Sequence, residues 1–261
     1  MFSERTLSGE LDRVRAAHAP DALVLDCERD FETLDPAVAE DLLLVTESVD
    51  PLSFPSEWVP ADAPEELHAF ASSDFTVGMA GDGGVAWTHQ TAPPVVFVKP
   101  RLTGSPDAFV DFLVAEAIVE VGLDVPEQFL GFFGERYPEF ATVAGEQLDP
   151  VGTYQLAAAL FDAFVGLHSR DAFADWADEF PDLFDAWVDA GERLEPRLGG
   201  LSEEVAMGRT DFPAAAELAC SAIKHGIEVT PPFAALDTSA YREHGPEYAI
   251  TWAEKTLASL A

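Results

Sequence analysis

Residues 94–121, PVVFVKPRLTGSPDAFVDFLVAEAIVEV, predict a buried strand, a turn and a core helix in immediate succession. Val95, Val96, Phe97 and Val98 form a short β-branched and aromatic run between Pro94 and Pro100, the pattern of a buried strand. Ser105 offers an N-cap oxygen. Pro106 suits the first helical position, because the N–H it lacks has no partner there anyway. Gly122 supplies a stop. On a helical projection Asp107 and Asp111 share one side, and Glu116 and Glu120 share the opposite side with Phe109 and Leu113. Val110, Val114, Ala117, Ile118 and Val121 fill the remaining faces. A helix that is apolar nearly all round belongs in a core, so one of its acidic pairs is expected to point inward or into a cleft.

Outside this stretch the dominant feature is charge. The 261 residues hold 48 acidic and 14 basic side chains, for a net charge of -34. Residues 1–50 carry 13 acids and 4 bases, and residues 51–100 carry 6 and 1. The acid is spread along the whole chain, which argues against an acidic tail or a nucleic-acid mimic confined to one face. Lysine is scarce: Lys99, Lys224 and Lys255 stand against eleven arginines. Such self-repulsion works against a compact state in dilute salt. At molar salt the Debye length falls to about 3 Å and the repulsion is screened. The composition predicts a protein adapted to a potassium-rich cytosol.

The hydrophobic fraction of 48% and aromatic fraction of 11% exclude wholesale disorder. Two cysteines, Cys27 and Cys220, make neither a disulfide framework nor a zinc knuckle. The opening MFSERTLSGELDRV lacks an apolar leader core. The longest near-apolar stretch, Leu156 to Leu167, contains Asp162 and is too short to span a bilayer of about 30 Å. A soluble cytoplasmic protein is expected. No basic patch suggests nucleic-acid binding.

Along the chain, helices are expected at 4–18, from Asp35-Pro36 with Val38, Leu42, Val45 and Val49 inward, and briefly at 62–70. Ala22–Cys27 reads as a short strand. Residues 74–101 predict a three-stranded antiparallel sheet: Phe75–Met79, a turn at Gly81-Asp82-Gly83-Gly84, Val85–His89, and Val95–Val98. The remainder reads as helices: 126–133, around 138–143, Asp149-Pro150 to His168, an acidic helix capped by Ser169, one from Pro181, 211–225 and 246–260. The expected fold is α+β and predominantly α-helical, a bundle-like body with that small sheet. It forms one domain over 1–261, divisible at most into an α+β part (1–101) and a helical part (102–261).

Three constellations carry possible chemistry. Gly78, Gly81, Gly83, Gly84 and Val85, followed by Lys99 and then Glu116, loosely resemble the phosphate loop, strand lysine and partner glutamate of protein kinases. The spacing is not GxGxxG, His168-Ser169-Arg170-Asp171 is not a proper catalytic loop, and Asp-Phe-Gly is absent. LVAEAIVE also resembles the HExxH helix of zinc peptidases, but Ala115 and Val119 stand where the two zinc ligands would be, leaving only Glu116. A carboxylate metal site could use Glu116, Glu120 and Asp162, but a Glu-x-x-His pair is missing. Lys99, Arg101, Tyr154 or a backbone N–H satisfies these acids more simply. No metal and no cofactor is therefore expected. The candidate catalytic residues are Glu116, Glu120 and Lys99. The candidate ligand-binding residues are Lys99, Arg101 and His89, the last beside Trp87 on a strand.

In composition, and in segments such as Ala19–Leu34 (APDALVLDCERDFETL) and Val114–Tyr137 (VAEAIVEVGLDVPEQFLGFFGERY), the chain resembles uncharacterised proteins restricted to haloarchaea. That resemblance implies a habitat and brings no catalytic residue. The leading expectation is a non-enzymatic protein that binds a protein or small-molecule partner, and an exposed apolar or aromatic groove would mark it. The rival is an enzyme or pseudoenzyme, marked by convergence of Lys99, Arg101, Glu116 and Glu120 in a cleft between the sheet and the 105–121 helix.

Overall fold

A computed structural model describes residues 2–72, 74–78 and 83–260. In chain order the elements are β1 (Phe2–Glu4), α1 (Gly9–His18), β2 (Leu23–Cys27), α2 (Pro36–Leu42), β3 (Ser48–Val49), α3 (Glu65–Phe70), β4 (Val85–Thr88), β5 (Thr91–Ala92), β6 (Val95–Val98), α4 (Asp107–Val121), α5 (Phe129–Phe133), α6 (Tyr137–Gly145), α7 (Pro150–Ala174), α8 (Pro181–Leu198), α9 (Leu201–Ala206), α10 (Phe212–Lys224) and α11 (Ser239–Ala258). The class is α+β and predominantly helical. The chain forms two compact units: 1–54, 69–128 and 176–186 make the first, and 55–68, 129–175 and 187–261 the second.

The first unit contains the sheet, and here the expected antiparallel three-strand arrangement is corrected. The sheet is mixed and four-stranded, in the order β1-β2-β6-β4. The centre is a parallel pair, with Leu23 opposite Val95 and Asp26 opposite Val98. β1 and β4 flank it antiparallel. A parallel partner leaves no local signature, because it arrives from far along the chain. Glu4, expected to open the first helix, instead ends Phe2–Glu4, the edge strand beside β2. Phe75–Val77 makes only an isolated bridge, Thr33 to Thr76. Met79, Gly81 and Asp82 of the expected hairpin lie outside the described residues. A separate two-stranded ribbon joins β3 to β5.

All four residues of β6 are buried, as a central strand covered on both faces requires. Alternation sends Val95 and Phe97 to one face, with Leu25, Cys27, Ala86, Leu34, Leu42 and Phe75. It sends Val96, Val98, Val24 and Trp87 to the other, where α4 packs on β4 and β6. Pro106, expected at the first helical position behind a Ser105 cap, is itself the N-cap of α4, without a side-chain hydrogen bond. Gly122 ends α4, with an ordinary negative φ of -76°. What demands glycine here is close approach: a Cβ would stand 2.4 Å from the His18 carbonyl oxygen at the end of α1. In α2 the helix ends at Leu42, and Val45, expected inward, is exposed with Leu43 and Leu44.

The second unit is helical and centres on α7 against α10. Asp149 caps α7 by accepting from the Gly152 N–H at 2.7 Å. The helix runs on through Ser169 to Ala174, so Ser169 is a fully buried interior residue rather than a cap. The two helices meet through small side chains, Ala157, Ala159, Ala163 and Gly166 on α7 and Ala215, Ala216, Ala219 and Ala222 on α10 all being buried. A Cβ on Gly166 would lie 2.9 Å from Lys224 Cα. α11 begins at Ser239, earlier than expected, and breaks at Gly245 (φ +44°) before Pro246. Phe132 and Phe164 lie 3.2 and 3.3 Å from where a Gly245 Cβ would stand. A side chain there would be strained twice over.

Candidate functional site

In the first unit the sequence candidates fall into two groups. Lys99 continues the alternation of β6 in extended backbone (φ -82°, ψ 149°). Its Nζ lies 5.7 Å from the Phe31 ring centroid and the residue is fully buried. Arg101, exposed, forms a fork with Asp30: Nε and Nη2 each donate to a carboxylate oxygen at 2.8 Å. That contact holds the Asp30 carboxyl below its ordinary pKa. The second group meets at Trp87. Its indole N–H donates to Glu120 Oε2 at 2.8 Å. Its ring packs edge-on to His89 at 5.4 Å. His89 is exposed, with Nε2 3.1 Å from the Val121 carbonyl oxygen. Glu116 is half-buried on α4. Asp162, expected to be buried, is exposed on α7.

One well-connected acid in this unit is a residue the sequence reading missed. Glu127 was expected in the first turn of a helix from Pro126, but α5 starts only at Phe129. Glu127 instead reaches the β4–β5 turn. Its Oε1 accepts from the Thr88 hydroxyl at 2.8 Å and from Gln90 Nε2 at 2.7 Å. Its Oε2 accepts from the His89 N–H at 2.9 Å. Around it Thr76, Thr88, Gln90 and Gln128 are buried, and the Thr76 carbonyl accepts from both Gln90 Nε2 and Gln128 Nε2. Burial pushes the Glu127 carboxyl up to about 7, against the pull of its three donors. The available signal was the polar run Thr88-His89-Gln90-Thr91 between two buried strands. Such a run demands partners, and Glu127-Gln128 supplies them.

The second unit holds a groove of about 400 Å³ lined by Pro231, Pro232, Ala234, Ala235, Tyr248, Thr251, Trp252, Lys255 and Thr256. Tyr248, Thr251, Trp252, Lys255 and Thr256 recur at helical spacing on one stripe of α11. The opposite wall is the 231–235 turn. The walls are tied together from inside. Tyr248 donates its hydroxyl to the Ala235 carbonyl at 2.8 Å, and Trp252 donates its indole N–H to the Pro232 carbonyl at 3.0 Å. Phe212 and Phe233 pack behind Trp252 at 6.0 and 6.2 Å.

Among the described residues no group of three or more His, Cys, Asp or Glu side chains is placed to hold a metal ion. No helix among them is long and apolar enough to cross a membrane. A model of a family of unknown function, DUF7089, matches residues 1–260. The chain belongs to that family. No curated protein and no solved structure matches this DUF7089 chain.

Proposed function

We propose that this protein is a non-enzymatic binding protein of a salt-rich, haloarchaeal cytosol, and that the groove between the 231–235 turn and α11 takes a small-molecule ligand. One observation carries this reading: an apolar, aromatic groove whose tyrosine and tryptophan polar atoms already hold its own walls. Such a groove is rigid before anything enters it, which lowers the ordering cost of binding. The even acidity and scarce lysine support the salt-rich setting. Lys99 and Arg101, which a phosphate-handling cleft would need, are engaged with Phe31 and Asp30.

The test is ligand-observed NMR with a panel of small amphipathic compounds, on the protein purified in molar KCl. Thr251 is exposed on the groove, so Thr251→Trp fills the space without disturbing the core. Binding that the wild type shows and Thr251→Trp lacks supports the reading. Equal binding by both, or none by either, overturns it. A second reading, proton transfer at Glu127 beside exposed His89, is favoured by a carboxyl with pKa about 7. A turnover abolished by Glu127→Gln in a folded protein is its mark.

A further inference from the structure

We infer that the ligand of the second unit's groove is a small carboxylic acid with an apolar body, its carboxylate held by Lys255 and its body lying along Trp252 and Tyr248. This rests on the reading of the groove as a ligand site and names the class of ligand. Three observations lead to it.

The first is where the charge lies. The protein carries 48 acidic side chains and three lysines, and one of those lysines lines this groove. Lys255 is exposed and makes no ion pair among the described residues. Glu247 and Glu254, the nearest acids on the same helix, are not among the lining residues. An anion in the groove therefore meets an unclaimed ammonium on a molecule that repels anions nearly everywhere else.

The second is polarity along the groove. Apart from Lys255 the lining is two prolines, two alanines, two aromatic rings and two threonines. The aromatic polar atoms are spent on the Ala235 and Pro232 carbonyls. What remains is one positive end and an apolar floor, the complement of an amphipathic acid. Apolar surroundings also strengthen a charge-assisted contact at the mouth.

The third is length. Tyr248 and Lys255 are two turns apart on α11, so the helical rise sets them about 10 Å apart. That span suits a short aliphatic acid lying along the stripe.

The probe is octanoate, compared with octanamide of the same shape but no charge, titrated calorimetrically into wild type, Lys255→Gln and Thr251→Trp. Wild type is expected to bind octanoate about three-fold more tightly than the amide, as one exposed ion pair provides. Lys255→Gln is expected to bind the two alike, and Thr251→Trp to bind neither. If wild type binds acid and amide equally, or Lys255→Gln keeps the preference, the ligand class is wrong while the groove reading stands. If neither compound binds wild type, the ligand class fails, and the compound panel decides the groove reading separately. An acetylated peptide ending in a leucine carboxylate that binds far more tightly than octanoate also overturns the free-acid assignment.

Discussion

Glu127 Oε2 accepts the main-chain N–H of His89 at 2.9 Å, so a carboxyl from the segment after α4 holds the turn between β4 and β5. The same group has its pKa pushed from 4.5 to about 7 by burial. A carboxyl whose pKa is raised by folding favours the folded state when protonated. That contribution is full below about pH 4.5 and is lost as pH rises through about 7. His225 acts oppositely: burial lowers it to about 4, so the folded state resists its protonation and stability drops as pH falls below 6.5. The clean measurement is therefore a difference. Melting temperatures of wild type minus Glu127→Gln, taken from pH 4.5 to 8 at fixed KCl, are expected to fall steadily as pH rises. A flat difference rules out the shifted carboxyl.

Gly166 and Gly145 are expected to respond in opposite directions to the same methyl group. At Gly166 the added Cβ meets Lys224 Cα and Cβ at 2.9 Å. Overpacking of this kind costs about 1–3 kcal/mol. At Gly145, the last residue of α6, nothing lies within 4 Å. There alanine gains about 0.4–1 kcal/mol by restricting the unfolded chain. Denaturant titration of Gly166→Ala and Gly145→Ala checks both. A neutral Gly166→Ala contradicts the close α7–α10 contact.

Tyr241 is fully buried and donates its hydroxyl to the Leu160 carbonyl at 2.6 Å. The Leu160 carbonyl keeps its helical partner in α7 and loses one further hydrogen bond, so Tyr241→Phe is expected to cost about 0.5–1.5 kcal/mol. Equilibrium unfolding in urea measures it. No loss means that water replaces the phenol.

Arg101 and Asp30 are both partly solvent-exposed, and their fork is correspondingly weak. Arg101→Gln is expected to change stability by under about 1 kcal/mol, less in molar KCl than in dilute salt. A larger loss, or one that grows with salt, means that Arg101 holds more than Asp30.

What was legible in the sequence was what is local. β6, the apolar body of α4, the Asp149-Pro150 and Asp211 starts and the Pro181 start all follow from apolar runs and capping chemistry within a few residues. What escaped was non-local. Nothing near Val24 announces that its parallel neighbour is Val96. Ser169 has the chemistry of a cap, but it lies buried within an apolar helix that runs on past it to Ala174. Of the candidate residues, Trp87's neighbours Glu120 and His89 come together, whereas Lys99 and Arg101 sit with Phe31 and Asp30. Glu127 was hidden because a glutamate after a proline looks like an ordinary first helical turn. The Lys255 groove was hidden because its second wall, Pro231–Ala235, comes from a stretch expected to be plain loop.

The parallel pairing of β2 with β6 also sets a timetable for synthesis. Cys27 leaves the ribosome long before Val98, and at about 5–20 residues per second the wait is roughly 4 to 14 s. Throughout it, the apolar strand Leu23–Cys27 has only β1 to pair with and one naked edge. The first unit also draws on 176–186, so it is finished later still. A nascent chain of this kind is exposed to edge-to-edge association in every cell that makes it. The acidic residues in and beside the strand, Asp21, Asp26, Glu28 and Asp30, are well placed to keep two such unfinished chains apart.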